Sequence, residues 1–141
     1  MRWVTWENVG VDRMGCAWLI RKHIDSEAEF LFIPHGGELP SEAEPFDIPG
    51  VKLSHHEGHC SFHAVLKQYG LTDPILSRIA RIVDEADTVQ EVTVEPTAPG
   101  LDLICEGLRL ISPDDRTALE RGALVYDALY ARLSAEEETD R

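Results

Sequence analysis

The chain has few cysteines and no long apolar run. Its three cysteines, Cys16, Cys60 and Cys105, are widely spaced and form no CxxC pair. Such a set argues against a secreted disulfide framework and against an all-thiolate zinc site. No stretch approaches the roughly 18 apolar residues that cross a bilayer, and no signal-peptide pattern follows the N-terminus. We therefore expect a cytoplasmic protein that makes no membrane contact.

Basic residues are also scarce. The chain carries 13 Lys and Arg against 26 Asp and Glu, a formal net charge of −13. A surface of this sign repels the phosphate backbone, so we expect no direct binding to nucleic acid. The acidity is typical of a soluble protein, and adaptation to a high-salt cytoplasm is the alternative.

The length indicates one domain. A chain of 141 residues with 43% hydrophobic residues can bury one core without disulfides. It has no repeat, and no GxGxxG motif indicates a nucleotide cofactor. We predict a domain over residues 1–134 and an acidic tail over 135–141 that frays.

The N-terminal half predicts a small sheet. Arg2 to Trp6 alternates apolar and polar β-formers, and Glu29 to Ile33 is apolar enough for a buried strand. Between them, Asp12 is the predicted N-cap of a helix that is apolar on most sides. Residues 34–50 are rich in Pro and Gly and predict a loop, followed by a short strand at Val51 to Leu53.

The C-terminal half predicts helices. Phe62, Val65, Leu66 and Tyr69 follow the helical spacing, and the Asp73-Pro74 pair and the segment from Ser112 to Asp115 are helix starts. We therefore predict an α/β fold of α+β-like type. A small, mixed sheet from the N-terminal half packs against a helical C-terminal half.

Histidines are concentrated in one segment. Residues 54–63 read SHHEGHCSFH and hold four of the six histidines together with one cysteine. Imidazole is the commonest protein ligand for transition metals, although this spacing does not match HExxH. The segment predicts a metal site, and the alternative is a solvated junction between a loop and a helix.

The ligands are predicted from local geometry. A strand at Val51 to Leu53 would bring His55 or His56 opposite His63 in the first turn of the next helix. Asp87 continues an apolar helical row and is the predicted carboxylate ligand, whereas Asp84 is expected to point outward. Two histidines and one carboxylate suit Zn, Fe or Mn.

The remaining members of the segment are alternates. His56, His59 and Cys60 are alternate ligands, with His59 expected to be exposed. Cys60 precedes the predicted helix and neighbours an imidazole, and both features lower a thiol pKa. Ser61 is the predicted cap of that helix. For Asp87, the alternative role is to accept backbone N–H bonds near Thr88.

A second candidate site lies where the first strand meets the first helix. The free N–H groups of a helix start and the planar guanidinium of Arg13 suit a small oxyanion. Asp12 would cap the helix or orient Arg13. The alternative is a cap beside a surface arginine.

The sequence resembles the ChrB chromate-resistance domain. The resemblance rests on the segments WVTWENVGVDRMGCAWLIRKHID, AEFLFIP, PFDIPGVKLSHHEGHCSFHAVLKQYGL, ADT and LVYDALYARL, and it covers about residues 1–133. It implies a bacterial or archaeal protein connected with chromate resistance. Full-length members carry an N-terminal DNA-binding region, which is not expected in this chain.

The resemblance also bears on individual residues. Asp12, Arg13, Trp18 and Arg21 match the first helix of the family, which implies an oxyanion site of Asp12, Arg13 and Arg21. His55 and Cys60-Ser61-Phe62 match later motifs. His63 departs from the family, where an acid is usual, and that exchange suits a metal ligand. The resemblance therefore favours His55 and His63 over the other two histidines.

Three functions are compatible with the sequence. The first is a sensing or detoxification domain that binds a metal, chromate or another oxyanion in a stress response. The second is a small metalloenzyme in which His55, His63 and Asp87 hold the ion and Arg13 or Glu57 assists catalysis. The third is a non-catalytic interaction domain, for example in a homo-oligomer.

Overall fold

We describe the chain from a computed structural model that covers residues 1–139. The last two residues, among them Asp140 of the predicted tail, lie outside the described range. The elements in chain order are β1 (Arg2–Trp6), α1 (Val11–His23), β2 (Glu29–Ile33), β3 (Glu44–Pro45), α2 (Ser61–Gln68), α3 (Pro74–Asp87), α4 (Thr97–Ile111) and α5 (Asp115–Thr139). The predicted α/β class is confirmed.

The sheet has the strand order β2-β1-β3 and is parallel throughout, so the prediction of a mixed sheet was wrong. Helix α1 carries the chain back so that β2 pairs in parallel with β1, as a helical crossover requires. A loop then returns the chain to the other edge of β1, where Pro45 lies opposite Val4. An edge strand tolerates proline because its N–H side need not pair. The predicted strand at residues 51–53 is reduced to a bridge between Phe46 and Leu53.

Helix α1 lies at the centre of the molecule. Nine of its thirteen residues are buried, which confirms the prediction of a helix covered on most sides. It packs against each of the other four helices. A Cβ atom at Gly15 would lie 2.7 Å from the Tyr126 hydroxyl, so glycine is needed for α5 to approach this closely. Tyr126 also donates to the carbonyl of Val11 over 2.6 Å, which fixes α5 to the start of α1.

The start of helix α5 is held against the connection between β1 and α1. Asp114 accepts from the N–H of Thr117, in agreement with the predicted helix start. Asp115 accepts from the backbone N–H groups of Asn8 and Val9 and so holds the β1–α1 connection. The helix extends through Thr139, and the fraying of the acidic tail stays a prediction.

Among residues 1–139, no helix combines the length and the apolar character that crossing a bilayer requires.

Candidate functional site

Two buried carboxylates from other helices hold the N-terminus of α2. Asp12 of α1 accepts from the N–H of Ser61 at 2.7 Å and from that of Phe62 at 2.9 Å. Asp84 of α3 accepts from the N–H of Cys60 at 2.7 Å. Acceptors at this end satisfy free donors and complement the helix dipole.

The structure corrects three predictions about these residues. Asp12 does not cap its own helix, because the N-cap of α1 is Gly10. Ser61 does not cap α2 either, since Cys60 occupies the N-cap position without a side-chain bond. Asp84 points inward and is 7% exposed, because the start of α2 needs its carboxylate.

His55 lies among carboxylates from three parts of the chain. Its Nε2 is 3.0 Å from an oxygen of Asp12, 3.0 Å from an oxygen of Asp87 and 3.6 Å from an oxygen of Asp47. The three acids come from the first turn of α1, the last residue of α3 and the loop after β3. The predicted partners His55 and Asp87 are thus neighbours, and Asp12 joins them.

Arg13 contacts this cluster through Asp47. Its Nε lies 3.2 Å from the Asp47 carboxylate, and its N–H groups also donate to the carbonyls of Glu7, Asn8 and Asp47. The hydroxyl of Ser61 donates to the other carboxylate oxygen of Asp47 over 2.6 Å. Arg13 and Ser61 therefore fix Asp47, and the donors of Arg13 already have partners within the chain.

The pKa values of three residues in this cluster are raised. The hydrogen bond to Asp12 and the nearby charges of Asp47 and Asp87 raise the pKa of His55 to about 9, against its partial burial. Burial and the charge of Asp12 raise the pKa of Asp47 to about 7, although Arg13 opposes the shift. Burial and Asp12 likewise raise the pKa of Asp87 to about 6. The cluster therefore favours any additional positive charge placed within it.

The cluster lines a cleft of about 510 Å³ that also contains Gly10 of the α1 start and Arg109 of α4. This volume falls in the range of small-ligand sites, roughly 300–1,000 Å³. The His55 side chain is 45% exposed and those of Asp12 and Asp87 are 2% and 32% exposed, so the cluster is reachable from solvent through His55 and Asp87.

His63 does not belong to this cluster. Its ring stacks on that of His59 at 4.2 Å, and Nδ1 of His59 lies 2.9 Å from the Asp84 carboxylate. Burial and the proximity of His59 lower the pKa of His63. His56 lines the same hollow as His59 and His63, and its Nε2 is 2.7 Å from the carbonyl of Lys52. His55 therefore faces Asp12 and Asp87 and not His63, whereas the approach of His56 to His63 stays a prediction.

A reverse turn explains this separation. The backbones of His56 and His59 are hydrogen-bonded in both directions, so the chain turns sharply between them. Glu57 and Gly58 at the tip both have positive φ, of 52° and 80°. Two such residues are typical of a type I′ turn. The turn sends His55 to one side of α2 and His59, which stacks on His63, to the other.

The remaining candidate residues lie elsewhere. Cys60 is fully buried, and desolvation raises the pKa of its thiol, against the lowered value expected from the sequence. Arg21 donates to the carbonyl of Ala28 and lies over the Phe30 ring, away from Arg13. Glu57 is at the exposed tip of the turn and lines a different hollow from His55. The structure thus brings together Asp12, Arg13, His55 and Asp87 and separates them from Arg21, Glu57 and His63.

Sequence reasoning missed Asp47. Its carboxylate is 12% exposed and sits beside Arg13 and His55, at a backbone φ of 51°. The signal was present in the segment PFDIPG, where an acid stands between apolar residues in a loop rich in proline. An acid in such a setting needs a partner, and the nearby Arg13 is that partner.

Similar proteins identify the family of this chain. Residues 3–133 match the family model described as "ChrB, C-terminal domain". The chain is 33% identical over 135 residues to "Protein ChrB" of Cupriavidus metallidurans, covering 95% of this chain and 41% of that relative. No solved structure gives a significant match. The family model covers nearly the whole chain, and the chain therefore belongs to the ChrB family and corresponds to its C-terminal domain.

Proposed function

We propose that this domain binds a divalent first-row transition metal ion at Asp12, His55 and Asp87, and that it serves chromate resistance as a metal-dependent sensing or detoxification domain. The observation that carries the proposal is the position of His55 Nε2, 3.0 Å from a carboxylate oxygen of each of the two acids. The connection with chromate rests on the family resemblance.

The residues present fit such an ion. One donor atom from each of Asp12, His55 and Asp87 lies within 4.8 Å of the other two. One imidazole and two carboxylates are ligands that Zn, Fe and Mn accept. The ion would take the place of the proton on His55, and its second charge would offset the excess of acids.

The protein holds these ligands in advance. Asp12 is fixed by the N–H groups of Ser61 and Phe62, so the ordering cost of that ligand is met when the chain folds. Asp47, held by Arg13 and Ser61, lies 3.6 Å from His55 and orients it from a second side. Such supporting contacts tune affinity at metal sites.

A bound ion would supply a positive charge to which an oxyanion can bind. Gly10 at the start of α1 and Arg109 of α4 line the same cleft and add favourable groups for an anion. Arg13 is a weaker candidate for anion binding because its donors face the carbonyls of Glu7, Asn8 and Asp47. Chromate and sulfate therefore serve as the probes for this step.

The positions of Arg13 and Glu57, the two residues expected to assist catalysis, favour ligand binding over catalysis as the function of this cleft. Arg13 is occupied within the chain, and Glu57 lies outside the cleft. The cleft therefore holds a set of ligands for an ion, but neither Arg13 nor Glu57 is placed to assist catalysis there as the enzymatic alternative expected.

Elemental analysis and calorimetry test the metal site. Protein purified without a histidine tag should bind one Mn²⁺ or Zn²⁺ ion per chain. His55→Gln should weaken binding about 100-fold and Asp87→Asn about tenfold or more, the latter on the order of 1.4 kcal/mol. His63→Gln is the matched control and should leave affinity unchanged. Loss of binding in His63→Gln but not in His55→Gln would overturn the proposal.

A second titration tests the role of the ion. Chromate and sulfate should release heat with the metal-loaded domain and none with His55→Gln. Equal heats in both proteins would show that the anion binds without the ion, and the metal-dependent part of the proposal would then fail.

A further inference from the structure

We infer that a second cleft, on the other side of α2, binds an organic anion: a small molecule with a carboxylate, sulfonate or phosphate group and an apolar body. The cleft measures about 790 Å³ and is formed by α2, α3 and the segment 88–94. It is lined by the basic residues His59, His63, Lys67 and Arg81. This inference does not depend on the metal site.

Charge favours an anion in this cleft. The chain carries a formal net charge of −13, yet four basic side chains converge here. Over residues 1–139, neither Lys67 nor Arg81 forms an ion pair with an acid. Lys67 and Arg81 therefore give this cleft two cationic groups without an ion-pair partner in an otherwise acidic protein, and such groups attract an anion.

The acids of the same cleft already have partners. Asp84 accepts from the N–H of Cys60 and contacts His59. Glu85 accepts from the N–H groups of Val94 and Glu95. The pKa of His63 is lowered by burial and by the positive neighbours His59 and Lys67, although Asp84 opposes the shift. These contacts occupy both acids of the cleft and leave Lys67 and Arg81 as cationic groups available to a ligand.

Apolar surface indicates that the ligand is more than an inorganic oxyanion. Val92 and Val94 in the cleft wall are 72% and 57% exposed, and Leu66 and Leu71 line the same space. A tetrahedral oxyanion would fill a small part of the cleft and would leave both valines in water. An apolar body of a few rings or a short chain would cover them, at a gain of roughly 25 cal/mol per Å² buried.

The segment that carries these valines is held in place. The Glu85 carboxylate accepts from the N–H of Val94 and from that of the next residue, Glu95, and the side-chain amide of Gln90 donates to the carbonyl of Gly58. These contacts anchor the segment on either side of Val92, which lowers the ordering cost of binding.

Fluorescence titration with 8-anilinonaphthalene-1-sulfonate tests the inference, because this probe combines a sulfonate with apolar rings. Lys67→Gln and Arg81→Gln should each weaken binding about fivefold, and Val92→Ser should weaken it to a similar degree. Lys22→Gln is the matched control: it removes the same charge from an exposed residue of α1 that pairs with Asp127. It should leave affinity for the probe unchanged.

A neutral analogue completes the design. N-phenyl-1-naphthylamine, which lacks the sulfonate, should bind at least tenfold more weakly. Amide shift changes on adding the probe should fall in α2, α3 and residues 88–94, in protein that unfolds cooperatively. The inference would be overturned if both compounds bound with equal affinity, or if Lys67→Gln and Arg81→Gln left the affinity for the probe unchanged. It would also be overturned if sulfate bound the cleft as tightly as the probe and displaced it.

Discussion

Two regions of the molecule use histidines from one decapeptide in opposite ways. On one side of α2, His55 faces Asp12, Asp47 and Asp87, and its pKa rises to about 9. On the other side, His63 lies with a second histidine and a lysine, and its pKa falls. We propose that the first region binds a cation and that the second binds an anion.

The start of α2 separates the histidines of residues 54–63 into these two regions. Asp12 reaches this start from α1 and Asp84 reaches it from α3, and each holds a histidine on its own side. The fold thus uses two buried acids both to satisfy the helix and to orient imidazoles. Substitutions at these acids are therefore the most direct test of how the two regions are held apart.

The largest effect is expected at Asp12. Asp12→Asn replaces one acceptor oxygen with a donor that faces a backbone N–H of Ser61 or Phe62, and it removes a charge from a helix N-terminus. Leaving a buried donor unpaired in this way should lower the free energy of unfolding by about 2–4 kcal/mol. Urea unfolding followed by circular dichroism measures the change.

Two matched variants sharpen this test. Asp84→Asn should cost less, about 1–2 kcal/mol, because Asp84 accepts from one backbone N–H rather than two. Asp87→Asn should change stability by less than about 1 kcal/mol, since its side chain is 32% exposed and its partner is His55. A similar loss in all three variants would show that the acids act through general charge balance instead of through the helix start.

The pH dependence of metal binding is the second prediction. The ion must displace the proton of His55, whose pKa is about 9. Affinity for Mn²⁺ should therefore rise about tenfold per pH unit from pH 7 to 9 and then level off. Below pH 7 the slope should steepen, because Asp47 and Asp87, with pKa values of about 7 and 6, also take up protons.

Calorimetry in buffers of different ionisation enthalpy checks this directly. At pH 7.5 about one proton should be released per ion bound. Affinity that is flat between pH 7 and 9 would mean that His55 is not displaced from its proton, and His55 would not be a ligand.

The two histidines should also titrate in opposite directions from the ordinary value of 6.5. His55 should lose its proton near pH 9 and His63 below 6.5, as read from imidazole proton shifts in metal-free protein. The stability that His55 contributes is fully present below pH 6.5 and is lost as the pH rises through 9. His63 has the opposite sign, so it lowers stability as the pH falls below 6.5. His55→Gln and His63→Gln should therefore flatten different parts of the stability profile.

The sequence predicted the parts of this site that depend on local pattern. The spans of β1 and β2 were confirmed as drawn, because their alternation and apolar content are visible along the chain. The pairing of His55 with Asp87 followed from an acid that interrupts an apolar helical row, and the structure places the two side chains in contact.

Tertiary geometry decided the rest. The pairing of His55 with His63 assumed that the break at Gly58 would bring His55 across the turn to the helix start, but His55 lies with Asp12 and Asp87 instead. Asp12 was placed at its own helix because a cap is the commonest role for aspartate at that position, and only packing shows that it caps α2. Local spacing contains no information about either contact.

A smaller effect than that of Asp12→Asn is expected at the turn itself. Gly58 has a φ of 80° with open space around its Cα, so Gly58→Ala introduces conformational strain without a clash and should cost about 1 kcal/mol. Gly107→Ala is the control: this helical glycine of α4 also has open space, and alanine there should stabilise by about 0.5–1 kcal/mol. Thermal unfolding measures both variants.

If the two regions are independent, Gly58→Ala should keep its affinity for Mn²⁺, because Asp12, which lies 3.0 Å from His55, is held by α2 and not by the turn. A loss of metal affinity larger than the loss of stability would show that the turn positions His55, and the separation of the two regions would then depend on Gly58.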